Sequence, residues 1–246
     1  MPGKSNVHLS VIIPAHNEAE RLPETLRQAL EYLASQPYSA EIIVVNDGST
    51  DATEALVCRW PVGSVPVRLL HHPMRSNRGK GASVRLGMQE ARGDFRLFMD
   101  ADNSTTLDQV SRFWTEFGRG YDAVIGSRKV AGARIAVRQH WVKELAGHLG
   151  NRFIRALVVP NISDTQAGFK MFTRRSAERI FPLLTIERWG FDVEVLAIAA
   201  HLGYRIQEVP ILWMNNRGSK VRMTAYFQVL AEVWRIRTNL KKGLYG

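Results

Sequence analysis

The chain has 246 residues, of which 45% are hydrophobic, 23% charged and 9% aromatic. That balance predicts a single globular domain, residues 1–246, with a sizeable core, and excludes a disordered or collagen-like chain. Its one cysteine, Cys58, excludes a disulfide framework and a cysteine-rich zinc site, and reads as an inert thiol. Lys and Arg number 33 against 23 Asp and Glu, a formal charge of +10. Such an excess favours an anionic partner: nucleic acid, a phosphorylated small molecule or an anionic membrane surface. Residues 1–6 carry no apolar signal-peptide region. No stretch approaches the roughly 18 uninterrupted apolar residues of a membrane span. A soluble or peripheral, cytoplasmic protein is the expectation.

The first half alternates short β-branched runs with amphipathic stretches. The pattern predicts strands over 7–13, 41–45, 67–70, 95–99 and 123–125, and helices over 18–33, 51–59, 82–91 and 107–117. Strands alternating with helices mean βαβ units around a mainly parallel sheet. The second half is less regular. Residues 126–139 read as a Gly/Arg-rich loop, followed by a basic helix around 140–158. Helices are expected over 173–184 and 191–202, and strand structure over 204–213 with an interruption at Pro210. A basic amphipathic helix over 224–241 closes the chain. It suits either a core-packed helix with a solvated face or one lying on an anionic bilayer.

Ligands of open α/β sheets bind beyond the carboxyl ends of the strands, so the residues just after each strand matter most. Pro14-Ala15-His16-Asn17-Glu18 follows the first, Asn46-Asp47-Gly48-Ser49-Thr50-Asp51 the second, and Asp100-Ala101-Asp102 the strand at 95–99. Asp47-Gly48-Ser49 alone is an ordinary turn and helix cap. Asp100 and Asp102 say more, because alternate residues of an extended segment face the same way. Two such carboxylates suit Mg²⁺ or Mn²⁺, which takes one or two carboxylates plus substrate phosphates. Asn77-Arg78-Gly79-Lys80-Gly81 has the composition of a phosphate-cradling turn at a helix start, without Walker A spacing. The seven histidines show no metal-ligand spacing, and no aromatic nucleic-acid signature accompanies the basic residues.

Together these segments resemble the inverting family 2 glycosyltransferases of GT-A fold: Val11-Ile12-Ile13-Pro14-Ala15-His16-Asn17-Glu18, Asn46-Asp47-Gly48-Ser49-Thr50-Asp51, Asn77-Arg78-Gly79-Lys80-Gly81 and Asp100-Ala101-Asp102. In the second half, Gly126-Ser127-Arg128, Asp164-Thr165-Gln166-Ala167-Gly168-Phe169-Lys170, Arg188-Trp189-Gly190-Phe191-Asp192-Val193-Glu194, Glu208-Val209-Pro210 and Gly218-Ser219-Lys220-Val221 resemble the polyprenyl-phosphate branch. The likeness is greatest to dolichyl-phosphate β-glucosyltransferases, then to dolichyl-phosphate mannose synthases. The implied reaction is metal-dependent, inverting transfer of glucose from UDP-glucose to a polyprenyl phosphate. Asn103-Ser104-Thr105-Thr106 differs from both branches, which keeps GDP-mannose as the alternative donor, and a glycan or glycolipid hydroxyl stands as the alternative acceptor.

The resemblance implies a Rossmann-like parallel sheet flanked by helices, with a nucleotide-sugar half at 1–126 and an acceptor half at 127–246. It implies donor contacts from Pro14, Ala15, Asn17, Glu18, Asp47, Lys80, Asp100, Ala101, Asp102, Arg217 and Lys220. Asp100 and Asp102 would hold Mg²⁺ or Mn²⁺, which stabilises charge on a leaving diphosphate. Arg128, Arg138 and Asp192 would face the acceptor, guanidinium matching a lipid phosphate through paired hydrogen bonds. Asp164, with Asp102 and Arg128, is a catalytic candidate. It would act as a base toward a hydroxyl or orient arginines toward a phosphate. The implied partners are a nucleotide sugar, a polyprenyl phosphate and an anionic membrane, and no nucleic acid.

Overall fold

The computed structural model describes residues 7–135, 152–214 and 224–246. Nine strands are defined among them: β1 Leu9–Ala15, β2 Ala40–Asn46, β3 Val67–His71, β4 Phe95–Phe98, β5 Ala123–Ser127, β6 Arg134–Ile135, β7 Lys170–Thr173, β8 Ile206–Pro210 and β9 Leu212–Trp213. The labelled helices are α1 Leu22–Ala34, α2 Thr53–Cys58, α3 Lys80–Glu90, α4 Phe113–Gly118, α5 Arg174–Ile180, α6 Phe191–His201 and α7 Thr224–Lys241. Residues 152–157 are also helical, and the rest of the helix expected around 140–158 lies mostly outside the described residues.

Seven strands form one sheet in the order β3-β2-β1-β4-β7-β5-β8, and β6 pairs with β9 in a small second one. All neighbours in the large sheet are parallel except β7, which runs against both β4 and β5. Side chains alternate across the sheet. Ile12 of β1 therefore joins the core under α3, α5, α6 and α7, while Val11 and Ile13 join the core under α1 and α4. With helices on both faces, β1 and β2 are apolar almost throughout.

Several boundaries differ from the sequence expectation for local physical reasons. The first helix starts at Leu22 rather than residue 18, because the Glu18 carbonyl accepts from the amides of Arg21 and Leu22 in a tight turn. Its buried stripe is Leu22, Leu26, Ala29 and Leu33, a helical repeat. The helix expected at 82 begins at Lys80, set off by Gly79 at φ +105°. Residues 107–112 form a 3-10 helix before α4. The largest difference is β7. Thr173 ends that strand and caps α5 by accepting from the Ser176 amide at 3.2 Å. The helix then stops at Ile180, and Pro182, which lacks an amide donor, lies in a 3-10 turn.

Direction is what makes β7 important. Because it runs antiparallel, the residues before it lie at the same rim as the residues after β4 and β5. Phe98 is paired with Lys170, and so is Ile125. The 164–170 segment thus meets the carboxyl ends of parallel strands. At the C-terminus, Val229, Val233 and Ile236 of α7 are buried against the core, and Trp234 is 62% exposed. No helix among the described residues is long and apolar enough to cross a membrane.

Candidate active site

The rim beyond β1 and β2 is laced by its own polar groups. Asn17, at φ 55°, accepts at Oδ1 from the Thr50 amide at 2.8 Å. Its own amide donates to Ser49 Oγ at 3.0 Å, and the Glu18 amide to Thr53 Oγ1 at 2.8 Å. The Glu18 carboxylate takes two bonds from Arg21, at 2.6 and 2.5 Å. Pro14 is half-buried at the strand end. Ala15 and Ala101 are buried, and their carbonyls accept from the Asp47 amide and Thr25 Oγ1, at 2.8 and 2.7 Å. Their methyl groups face the core, so neither presents a side chain to a ligand.

Asp47 is also buried, and its carboxylate is turned toward the protein. Oδ1 accepts from the Arg78 amide at 2.7 Å and Oδ2 from the Gly79 amide at 2.9 Å. These bonds fix the Asn77–Gly81 turn and the start of α3, where helix amides lack intrahelical partners. Gly48 must be glycine: it sits at φ +65°, and a Cβ would lie 2.7 Å from the Asn77 nitrogen.

After Phe98 the chain bends at residues 101–102 instead of continuing extended. Asp100 and Asp102 consequently meet different cations. Asp100 Oδ1 lies 2.5 Å from Lys80 Nζ, and Asp102 Oδ2 lies 3.8 Å from Arg21 Nη1. Among the described residues no three His, Cys, Asp or Glu side chains are grouped to hold a metal by themselves. Two partly exposed carboxylates nevertheless fit a hard cation that keeps waters and takes substrate phosphates as its other ligands. Burial lowers the Lys80 pKa, but Asp100, Asp192 and Asp102 more than offset it, so the net shift is upward and the ammonium persists.

Behind this pair lies a charge that the sequence reading quoted but gave no role. Lys170 is 0% exposed, and its ammonium contacts Asp192 Oδ1 and the Ala167 carbonyl. Burial pushes its pKa down and Asp192 opposes the shift. The Asp192 carboxylate, expected to face the acceptor, is turned to this lysine. The residue is 5% exposed and neutralises the buried lysine from the first turn of α6. Lys170→Met is expected to leave that carboxylate unpaired and to cost about 3–5 kcal/mol. The urea midpoint should fall accordingly, and adding Asp192→Asn should recover part of the loss.

On the other side of β7, Asp164 is 1% exposed and locked to Arg128. Oδ2 accepts from the Arg128 backbone amide at 2.9 Å and from Nε at 2.8 Å, and Oδ1 from Nη2 at 2.8 Å. Burial raises the Asp164 pKa, but Arg128 outweighs it and the carboxyl rests at about 2. It is permanently ionised near neutrality, its oxygens already engaged. Arg128 Nη1 has no hydrogen-bond partner among the described residues, and the guanidinium lies 5.4 Å from the Trp213 ring centroid. The site thus offers a held cation and, in Asp164, a very weak base. Arg138, Arg217 and Lys220 lie outside the described residues.

Comparison with known proteins bears on the family and the fold. The Glycosyl transferase family 2 pattern matches residues 10–181. A dolichyl-phosphate β-glucosyltransferase of Dictyostelium discoideum is 36% identical, over 98% of this chain and 77% of its own length. The Homo sapiens protein of that name is 34% identical, over 87% of this chain and 69% of its own. Among solved structures, a glucosyl-3-phosphoglycerate synthase from Mycobacterium tuberculosis, in complex with Mn²⁺, UDP-glucose and phosphoglyceric acid, superimposes with a TM-score of 0.68. It is 21% identical and aligns over 96% of this chain and 81% of its own. A Pyrobaculum calidifontis mannosyltransferase in complex with GDP-mannose and Mn²⁺ gives 0.59 at 22% identity, over 94% and 60%. At those identities the likeness is one of fold, and the fold is the GT-A arrangement of a mainly parallel sheet between helices. With the family pattern over most of the chain, and relatives above 30% identity matched over more than two thirds of their length, this chain belongs to glycosyl transferase family 2 and is a glycosyltransferase.

Proposed function

We propose that the enzyme transfers glucose from UDP-glucose to a polyprenyl phosphate of the dolichyl type, with inversion and with Mg²⁺ or Mn²⁺ as cofactor. The observation that carries this reading is the Asp164–Arg128 pair. A hydroxyl acceptor needs a base near its proton, and a carboxylate with a pKa of about 2 is a poor one. A phosphate monoester, with a second pKa near ~6, arrives largely deprotonated and needs a cation to orient it. The names of the relatives point the same way.

In this reading a phosphate oxygen attacks the sugar C1 in line as the bond from C1 to the UDP oxygen breaks. Asp100 and Asp102 would hold the divalent cation, which when bound lowers the cost of charge on the departing diphosphate. Lys80, at the start of α3, adds a second positive charge there. Asp47 acts by holding the turn that presents Lys80, and the 14–18 segment borders the nucleoside. Arg128 binds the acceptor phosphate, with Arg138 beside it, and Arg217 and Lys220 serve the diphosphate. Residues 1–126 form the donor half and 127–246 the acceptor half of one domain. Exposed Leu230, Trp234 and Leu244 beside Arg235, Lys241 and Lys242 suit peripheral attachment to the cytoplasmic face of an anionic membrane.

The test is transfer of labelled sugar to dolichyl phosphate in detergent with Mn²⁺, comparing UDP-glucose with GDP-mannose. Labelled lipid from UDP-glucose alone is expected. Lipid labelled from GDP-mannose instead would replace the donor, and label passing only to a hydroxyl acceptor would replace the acceptor.

A further inference from the structure

We infer that Glu208 is a positioning residue for sugar transfer, acting through Asp164 on the orientation of Arg128. The inference rests on the reading of Arg128 as the acceptor-phosphate ligand.

Glu208 lies on β8, the edge strand beyond β5, in register with Ile125. Its carboxylate grips two successive amides of the segment before β7. Oε2 accepts from the Ser163 amide at 2.7 Å and Oε1 from the Asp164 amide at 3.0 Å. A second carboxylate then continues the chain of contacts, since Asp164 takes three bonds from Arg128. Both ends are anchored on neighbouring parallel strands: Glu208 within β8, and Arg128 just past the end of β5. The intervening 163–164 backbone belongs to no helix or strand. Its amides are set by a side chain from the sheet edge, and that setting aims the Asp164 carboxyl.

The chemistry requires a carboxylate. Two oxygens accept from two amides. Glutamine supplies one acceptor and turns an NH₂ group toward an N–H donor. Aspartate is shorter by one methylene and cannot span to both amides from the same backbone. Charge-assisted bonds to amides are about twice as strong as neutral ones, so the substitution loosens the Asp164 backbone without removing volume.

Glu208→Gln is expected to raise the KM for polyprenyl phosphate about tenfold, changing kcat less than threefold and UDP-glucose binding not at all. Its effect should vanish in an Asp164→Asn background, because both changes disturb one path to Arg128. A residue that merely held the fold would lower donor binding and kcat alike and would add to Asp164→Asn; either result overturns the inference, as does an unchanged acceptor KM. If Arg128→Lys and Asp164→Asn also leave that KM unchanged, the acceptor reading falls with it. If they raise it and Glu208→Gln does not, only the positioning role falls. Should Glu208→Gln not fold, amide exchange in the unaltered enzyme decides. Slow exchange at Ser163 and Asp164 is expected, and exchange at the rate of an open loop overturns the clamp.

Discussion

Arg128→Ala should reduce kcat/KM for a polyprenyl phosphate by at least about 100-fold and also destabilise the fold by about 3–5 kcal/mol. Both effects have one cause. Asp164 is buried, and the three bonds to its carboxylate come from Arg128. Alanine keeps the backbone amide bond but leaves the charge without its counter-ion. Asp164→Asn separates the two roles. If Asp164 removed a proton from the acceptor, its loss would cost about 10²–10⁴ in kcat. If it holds Arg128, the cost is that of one charge-assisted contact, about 1.5–3 kcal/mol or roughly 10–150-fold, and it falls on the acceptor KM. We expect the second outcome with a phosphate acceptor.

The same pair sets a pH dependence. The Asp164 carboxyl sits at about 2 against an ordinary 3.8, a depressed value. The pair therefore contributes stability that is present above about pH 4 and lost as pH falls through about 2. The contribution is about 2–3 kcal/mol at neutral pH. Asp164→Asn should remove it, so the variant's unfolding free energy should vary less with pH over that acid range, as chemical denaturation at a series of pH values would report.

The strands and rim of the first half were legible in the sequence because their signals are local. Apolar runs such as Ile42–Val45 mark strands, and acids directly after them mark the rim. The geometry around Asp164 and Arg128 was not, because it depends on one strand direction. Lys170-Met171-Phe172-Thr173 is four residues long and leads straight into α5, so no periodicity distinguishes it from a helix start. Missing β7 hides why Asp164 meets Arg128, 36 residues away. Lys170 was given no role for a related reason: a lysine is ordinarily solvated. The available signal was its place among Phe169, Met171 and Phe172, where a charge has to find a partner. Ala15 and Ala101 show a different gap between motif and geometry. They lie in motifs that resemble donor contacts, yet their methyl groups face the core, Ala15 at the end of β1 and Ala101 in the turn after β4. Arg21, which bridges Glu18 and Asp102, looks in sequence like any surface residue at a helix start.

Gly168→Ala should weaken metal-dependent donor binding at least about tenfold while leaving the fold nearly intact. A Cβ at 168 would stand 2.0 Å from Asp100 Oδ2 and 2.7 Å from its Cγ, far inside contact distance. The nearest obstacles are side-chain atoms of a carboxylate that is 37% exposed, so the clash is relieved by swinging Asp100 outward. That motion is inexpensive for stability, about 1 kcal/mol or less. For the site it is severe, since Asp100 leaves Lys80 and the place where the divalent cation would be shared with Asp102. Titration of UDP-glucose with Mn²⁺ should show a loss of at least tenfold in affinity, about 1.4 kcal/mol, with a thermal midpoint close to that of the unaltered enzyme. Because both substitutions act on one carboxylate, Gly168→Ala should add little to Asp100→Ala. Unchanged Mn²⁺-dependent binding would remove Asp100 from the metal site. A collapse of the thermal midpoint would mean that Gly168 serves the packing of the 164–170 segment, and that the close approach to Asp100 is its consequence rather than its reason.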